Sequence, residues 1–473
     1  LILDPWNEIE HKRHKSETET EYISRAIRMM KRFATNFNCV VAIVAHPQKM
    51  NVGKENTIKE PTLYDISGCY TADTEVLTAD GWKFHDAVTT DDLVACFEPA
   101  TGAMVYCNPT RVIRKPFNGV VHTYQGYGFD LQVTPEHRML VKPRWTGKEI
   151  GSGLGRPQKW GDGWQFCTAE TLPRAQFIIP LAGHLEHGSS DLPETWAAIA
   201  GWYAAEGCGS YSGITISQAE GAHSDAIAAL LESAGIEPAV YKSAPGTGGT
   251  KLMNAFYIGA RANREIVNWL KREGGVGSAN KRVPPEIFAG SRANKEAFMA
   301  AYLAGDGSVK AGGFSASTTS AGLRDDLQRL ALELGWTCSW SPLHPAKPEH
   351  SQCYQLNMLP GRMETSLYPR NMGEARYSGE VFCLTVPTGA YFVRRNGKAV
   401  VCGNSANWYN KADHGIVVHR PKPTSTTSHV STRKVRFQPD TGRPGTQAFM
   451  FNVVTKRFEE MPDELGFQTE RAA

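Results

Sequence analysis

Cys69, Asn404 and Ser405 are residues whose types and order could break two peptide bonds and make a new one without cofactor or ATP. A cysteine thiol is the most nucleophilic side chain near neutral pH, and Cys69 follows Gly68, which offers an unhindered carbonyl. Attack there would turn an amide into a thioester. The Ser405 hydroxyl could then take over the acyl group, while Asn404 cyclises through its side-chain amide onto its own carbonyl. The ester left between Gly68 and Ser405 would rearrange to an amide, and the joined flanks would read Leu-Tyr-Asp-Ile-Ser-Gly-Ser-Ala-Asn-Trp. The departing nitrogen needs a donor. Thr134-Pro-Glu-His137 supplies a hydroxyl and an imidazole at i and i+3, where a tight turn could aim both at one bond.

A second chemistry lies inside that stretch. Two helical segments, Trp196 to Gly207 and Phe298 to Gly307, each end in an acid followed by glycine, with Glu206 in one and Asp306 in the other. Ala200, Gly201 and Ala204, and then Ala301, Ala304 and Gly305, are small enough to let the helices pack side by side. Each helix then presents one carboxylate beside its partner. Adjacent carboxylates repel unless divalent cations sit between them, and such cations activate water and stabilise the leaving oxygen at a phosphodiester. The basic segments Lys271-Arg272 and Lys281-Arg282 could contact phosphates.

The elements that must position these groups change texture along the chain. Leu1 to Asp4 reads as a short strand, Glu19 to Asn36 as a helix with Ile23, Ala26, Met29, Met30 and Phe33 on one face, and Val40 to Ala45 as a strand covered on both faces. From Cys69 short strands alternate with turns, as in Thr74 to Leu77, Asp92 to Ala95, Val120 to Tyr124 and Leu131 to Thr134, which points to an all-β unit. After Asp191 the pattern turns helical. Each acid-ended helix is followed by strand-like sequence and another helix, Asp225 to Ala234 and Leu323 to Leu334, so the stretch reads as two diverged copies of one unit about 100 residues apart. Strands return at Val381 to Val386, Tyr391 to Val393 and Ala399 to Cys402, and an α/β texture resumes at Gly415 to His419.

Bulk properties narrow the classes. The chain of 473 residues has room for about three domains, and its net charge of +3 is too mild to imply a nucleic-acid partner by itself. Its 10 cysteines include no Cys-x-x-Cys pair, which argues against a zinc site or disulfide framework and fits a reducing, cytoplasmic setting in a phage-infected or bacterial cell. No apolar run approaches the roughly 18 residues of a membrane span. Opening inside a strand, without Met, the sequence reads as a fragment.

Three family resemblances gather these observations. Cys69-Tyr-Thr-Ala-Asp-Thr-Glu-Val-Leu, Leu131 to Val141, and Gly379 to Val386 with Val401-Cys-Gly-Asn-Ser resemble the opening, Thr-x-x-His and closing blocks of inteins. That resemblance implies the all-β Hint fold shared with hedgehog processing domains, with Cys69, Thr134, His137, Asn404 and Ser405 as splicing residues and no cofactor. It also marks departures: Gly403 stands where the family usually has His, Ala390 near another usual His, and Cys383 where Asp is frequent. Some inteins route the acyl group through a Cys at the Cys383 position, which makes Cys383 and Gly403 accessory candidates.

Ile199 to Gly207 and Ala301 to Gly307 resemble the paired motifs of LAGLIDADG homing endonucleases. This implies an α+β unit of two pseudo-symmetric repeats, Glu206 and Asp306 as catalytic metal ligands, Mg²⁺ as cofactor and double-stranded DNA as partner. Leu1-Ile-Leu-Asp4, Val41 to Gln48, the fused Asp65 to Gly68 with Ser405 to Asp413, and Lys434-Val-Arg436-Phe resemble phage-type replicative ring helicases with a RecA-like core. There Asp4 would hold Mg²⁺, His46 or Gln48 would sense the nucleotide, and Arg436 would reach a neighbouring subunit's ATP. Single-stranded DNA and identical subunits would be partners, and no membrane is expected. A Gly-x-x-x-x-Gly-Lys-Ser/Thr phosphate loop is absent from the sequence and lies upstream in that family.

The expected architecture is multidomain and nested. Residues 1–68 and 405–473 form an α/β RecA-like host, split by an all-β Hint domain at 69–188 and 366–404, itself split by the endonuclease at 189–365. Two other readings stay open: an insert that has lost splicing and cutting within a nucleic-acid-binding motor, and autoprocessing by cleavage without ligation.

Overall fold

The computed structural model describes residues 1–3, 19–44, 68–143, 163–186, 188–189, 191–244, 251–343, 351–404, 413–420, 422, 424–435 and 443–461. Seven α-helices are described: α1 (Glu19–Asn36), α2 (Glu194–Glu206), α3 (Ala222–Ser233), α4 (Arg264–Glu273), α5 (Pro285–Ala289), α6 (Arg292–Asp306) and α7 (Ala321–Glu333). No described helix is long and apolar enough to cross a membrane.

Sequence beyond Cys69 folds as β-structure drawn from two distant stretches. Strands Arg111–Gln125 and Met372–Thr385 pair antiparallel along their length, from Met372 opposite Tyr124 to Thr385 opposite Arg111. With Tyr70–Thr71 and Asp130–Val133 they close a four-stranded barrel. Arg138–Pro143 pairs with Gln165–Thr168 and Phe177–Pro180, and the latter reaches Glu364–Leu367. A buried cluster including Tyr70, Val133, Met139, Phe382, Tyr391 and Cys402 fills the space between. Chain that is far apart in sequence is thereby folded into one core.

The helical stretch is built twice on the same plan. Strands Gly207–Gly209, Gly213–Ala219, Met253–Gly259 and Ala239–Ser243 are neighbours in that order behind α2. Strands Gly307–Lys310, Gly313–Thr318, Cys353–Leu359 and Thr337–Leu343 repeat the order behind α6. Helix α2 is apolar around its circumference because it meets α6 on one side and sheet on the other, burying Ala197, Ile199, Ala200, Gly201, Trp202, Tyr203 and Ala204. Helix α6 starts in a capping box, Ser291 with Asn294, which satisfies its first free backbone donors.

The second copy does not stand apart from the β-unit. Strand Thr337–Leu343 joins the edge strand Lys398–Gly403 through Ser339 opposite Lys398, giving one 11-stranded sheet across both. Leu332 of α7 lies in a buried cluster with Leu77, Phe392 and Val401.

In the outer flanks, Ile2–Leu3 and Ala42–Ile43 pair in parallel across α1, a βαβ unit as expected. Among the described residues the strand expected to be covered on both faces is not, with Val40 81% exposed. Beyond residue 413 the described elements are four antiparallel strands, from His414–His419 to Arg457–Glu460, and the expected α/β texture is absent among the described residues. The flanks meet through Lys31 Nζ and Asp413 Oδ1 at 2.7 Å.

Candidate functional site

Residues 68–70 and 402–404 converge on the start of strand Arg138–Pro143. A turn closed by the His137 N–H to the Thr134 carbonyl, 3.0 Å, presents the Thr-x-x-His residues together. The Cys69 N–H donates to Thr134 Oγ1 at 2.9 Å, and the Thr134 N–H donates back to the Cys69 carbonyl at 2.9 Å. The nitrogen that would depart from Gly68 is therefore held by Thr134, whose hydroxyl accepts rather than donates. Gly68 lies flat on the turn: a Cβ there would stand 2.1 Å from His137 Cα, so no larger residue fits.

His137 faces both ends. Its Nε2 lies 3.3 Å from the Cys402 Sγ, and Nδ1 is buried without a hydrogen-bond partner among the described residues. Burial drives the imidazole down to about 3, partly offset by the nearby Gly68 backbone, while the Arg138 charge adds to the fall. It is neutral at pH 7. Burial also pushes the Cys402 thiol up to about 12, so it stays protonated.

Asn404 is 1% exposed and held through its N–H and both side-chain polar atoms. Its N–H donates to the Gly389 carbonyl at 2.9 Å, and Nδ2 donates to the Val386 carbonyl at 3.0 Å. Arg138 Nη1 donates to Asn404 Oδ1 at 3.2 Å. The guanidinium sits 4.0 Å over the Phe166 ring, and burial lowers it to about 10, which leaves it charged. Gly403 packs onto Arg138, where a Cβ would lie 2.2 Å from its carbonyl oxygen, so a side chain at 403 has no room. The Tyr70 hydroxyl donates to the Gly403 carbonyl at 2.9 Å. Cys383 shares a small buried cluster with Cys69 and Val381.

The paired acids form a second site. Helices α2 and α6 touch at glycine: a Cβ on Gly201 would be 2.3 Å from the Phe298 carbonyl oxygen, and one on Gly305 would be 2.6 Å from Ala205 Cβ. Gly207 and Gly307 then stop the helices in extended conformation, each donating its N–H to the Tyr203 or Leu303 carbonyl. Glu206 and Asp306 are left side by side. Asp306 as a residue is exposed, yet its neighbours strip part of its hydration. That desolvation, and then the Glu206 charge, push its carboxyl up to about 7, and burial raises Glu206 as well. Two carboxyls that resist ionising together suit a divalent cation.

Residues 293–350 match the LAGLIDADG-like domain family. The match begins in α6 and covers the second copy of the repeat up to the strand Cys353–Leu359. Among curated proteins, the chain is 43% identical over 68 residues to a Twinkle homolog protein, chloroplastic/mitochondrial, of Arabidopsis thaliana, 14% of this chain and 9% of that protein. It is 44% identical over 73 residues to an ATP-dependent Clp protease proteolytic subunit of Chlamydomonas moewusii, 15% of this chain and 7% of that one. The chain thus spans less than a tenth of the length of these curated relatives. Among solved structures, a class 3 split intein, AceL NrdHF, overlaps 71% of this chain and 97% of its own at 12% identity and a TM-score of 0.25. I-DmoI in complex with DNA and Mn overlaps 35% of this chain and 89% of its own at 13% identity and a TM-score of 0.25.

The structure brings Cys69, Thr134, His137 and Asn404 into one region, and Glu206 beside Asp306. Asp4, His46, Gln48, Ser405 and Arg436 lie outside the described residues. Lys281 does not fit the phosphate-contact role expected for its segment. It is 3% exposed, its Nζ donates to the Tyr203 carbonyl at 2.7 Å, and burial lowers its ammonium to about 7. Arg282 is committed to Asp326 through two hydrogen bonds of 2.6 and 2.9 Å. Sequence reading missed Tyr70 and Arg138. Arg138 could have been suspected from its place beside His137, but no pattern in the chain announces that Tyr70 reaches Gly403.

Proposed function

We propose that this chain is a self-splicing precursor in which residues 69–404 excise themselves and Gly68 is joined to Ser405. The observation that carries this reading is the meeting of both insert ends at the Thr134–Arg138 segment, with Tyr70 on the Gly403 carbonyl at 2.9 Å. Cys69 Sγ attacks the Gly68 carbonyl carbon, the carbon–nitrogen bond breaks, and the thiol proton ends on the Cys69 nitrogen. Thr134 holds that nitrogen in line beforehand, and the neutral His137 relays the proton. The Ser405 hydroxyl oxygen then bonds to the Gly68 carbonyl carbon, the carbon–sulfur bond breaks and the hydroxyl proton passes to the Cys69 sulfur; after Asn404 has cyclised, the freed Ser405 amine takes the acyl group from the oxygen, which regains a proton. Asn404 Nδ2 bonds to its own carbonyl carbon, the bond to the Ser405 nitrogen breaks, and a proton passes from Nδ2 to the freed amine. Arg138, on Oδ1, draws electron density from the amide and so favours loss of that proton. It does this where Gly403 leaves no space for another side chain.

The insert also carries a double-strand DNA endonuclease, with Glu206 and Asp306 each serving one strand. A Mg²⁺ ion bound there would supply activated water and stabilise the leaving oxygen. The flanks belong to an ATP-dependent replicative ring helicase that works on single-stranded DNA with identical subunits. Support for this comes from the flank motifs, from the Lys31–Asp413 contact between the flanks, and from the short stretch shared with the Twinkle homolog.

Expression of the chain followed by intact-mass analysis tests the splicing reading. Joined 1–68 and 405–473 flanks with a free 69–404 insert are expected. Separate flanks would mean cleavage alone, and absence of any Gly68–Ser405 peptide overturns ligation. Incubating the insert with DNA spanning the uninterrupted host gene, with and without Mg²⁺, tests the nuclease.

A further inference from the structure

Strands Ala390–Arg395 and Lys398–Gly403 form a hairpin whose far end delivers Asn404, and whose turn is Asn396-Gly397. That turn is held by the nuclease unit. Gln328 of α7, fully buried, donates through Nε2 to the Gly397 carbonyl at 2.9 Å and to the Cys338 carbonyl at 2.9 Å. Its Oε1 accepts from Arg394 Nη1 at 3.0 Å. The Trp340 N–H donates to the same Gly397 carbonyl at 3.0 Å. Gly397 has φ +74°, and a Cβ on it would stand 2.3 Å from the Trp340 carbonyl oxygen, so the turn is pressed directly against the nuclease strand.

Gln328 thus spends one Nε2 donation and its Oε1 on the joint between the two units, and the other Nε2 donation on its own unit. An antiparallel pair shifts all its residues together when its register or tilt changes. A displaced turn therefore displaces Asn404 against Arg138, Val386 and Gly389 at the other end of the same short hairpin. We propose that the nuclease unit holds the second splice junction in place, with Gln328 as the positioning residue, so that the two activities share one structural element. This inference rests on the splicing reading above.

Gln328 is the informative position because its reach is one-sided. Arg394 also spans the joint, but it pairs with Glu75 at 2.6 Å, close in sequence to Cys69, as well as with Asp325. Removing Arg394 would disturb both junctions. Among the described residues, Gln328's side-chain hydrogen bonds go to the turn leading to Asn404, the Arg394 guanidinium and its own unit.

The test uses the full chain with Gln328→Met, scored by two rates in one sample. The first is appearance of insert ending in the cyclised Asn404, by mass spectrometry. The second is cleavage at Gly68–Cys69 by added thiol, which reports the first junction. Asn404 release is expected to fall at least fivefold while thiol cleavage stays within twofold of the parent. Release at the parental rate overturns the proposal, and so does an equal fall in both rates, which would mark general structural support. If Gln328→Met does not fold, Gln328→Glu is judged by the same two rates, since it keeps the acceptor for Arg394 and loses the donor to Gly397. Failure of both to fold also overturns the selective role. A parent chain that yields neither thiol cleavage nor Asn404 release sinks the splicing reading itself, a result distinct from any of these.

Discussion

The Tyr70 hydroxyl donates to the Gly403 carbonyl at 2.9 Å, linking the residue after Cys69 to the residue before Asn404 across 333 positions of sequence. Burial, and then the neighbouring Cys402, raise the phenol's pKa, so it is a permanent donor. Tyr70 also packs edge-on against His137, with ring centroids 4.3 Å apart. One side chain therefore touches both the Thr134–His137 turn and the end of strand Lys398–Gly403.

Tyr70→Phe keeps the ring and removes the donor, stranding a buried carbonyl. The cost is expected to be about 1–3 kcal/mol in urea unfolding, with slower Asn404 release and the first junction less affected. Unchanged stability would show that water or another group replaces the phenol.

The two junction glycines have no room to grow. Gly68→Ala would press a Cβ to 2.1 Å from His137 Cα, and Gly403→Ala to 2.2 Å from the Arg138 carbonyl. Both neighbours are backbone and cannot swing aside. Thiol cleavage should be lost selectively in the first variant and Asn404 release in the second. Full splicing by either would refute the close packing.

The paired acids give the unit built on α2 and α6 a pH signature. The folded pKa of Asp306, about 7, lies above the ordinary carboxyl range, so the fold favours its protonated form. Its contribution to stability is complete at low pH and is lost as pH rises through about 7. In chelator, the melting temperature should fall between pH 5 and pH 8, and Mg²⁺ should restore more at pH 8. Asp306→Asn should flatten both responses and abolish cutting. An unchanged pH dependence in that variant would separate Asp306 from the cation site.

Gly201 sets the helix crossing. With the Phe298 carbonyl oxygen 2.3 Å from where a Cβ would sit, Gly201→Val must force α2 and α6 apart. A loss of about 1–3 kcal/mol is expected, with DNA cleavage reduced more than splicing. Equal loss of both activities would instead tie the crossing to the splice site.

Much of this was legible in one dimension. The order of Cys69, Asn404 and Ser405, the Thr134/His137 spacing and the twin acid-glycine helix ends depend on residue type and local period, which sequence carries directly. Helix α1 runs from Glu19 to Asn36, as its apolar spacing implied. What sequence could not carry is which distant groups share a site. Arg138 on Asn404, Tyr70 on Gly403 and Gln328 on Gly397 are contacts between segments brought together only by sheet closure and buried packing. Local propensity does not specify such partners, because their identity depends on how strands far apart in the chain align. The chemistry was written in residue types; the alignment that would let it run was decided by the tertiary fold.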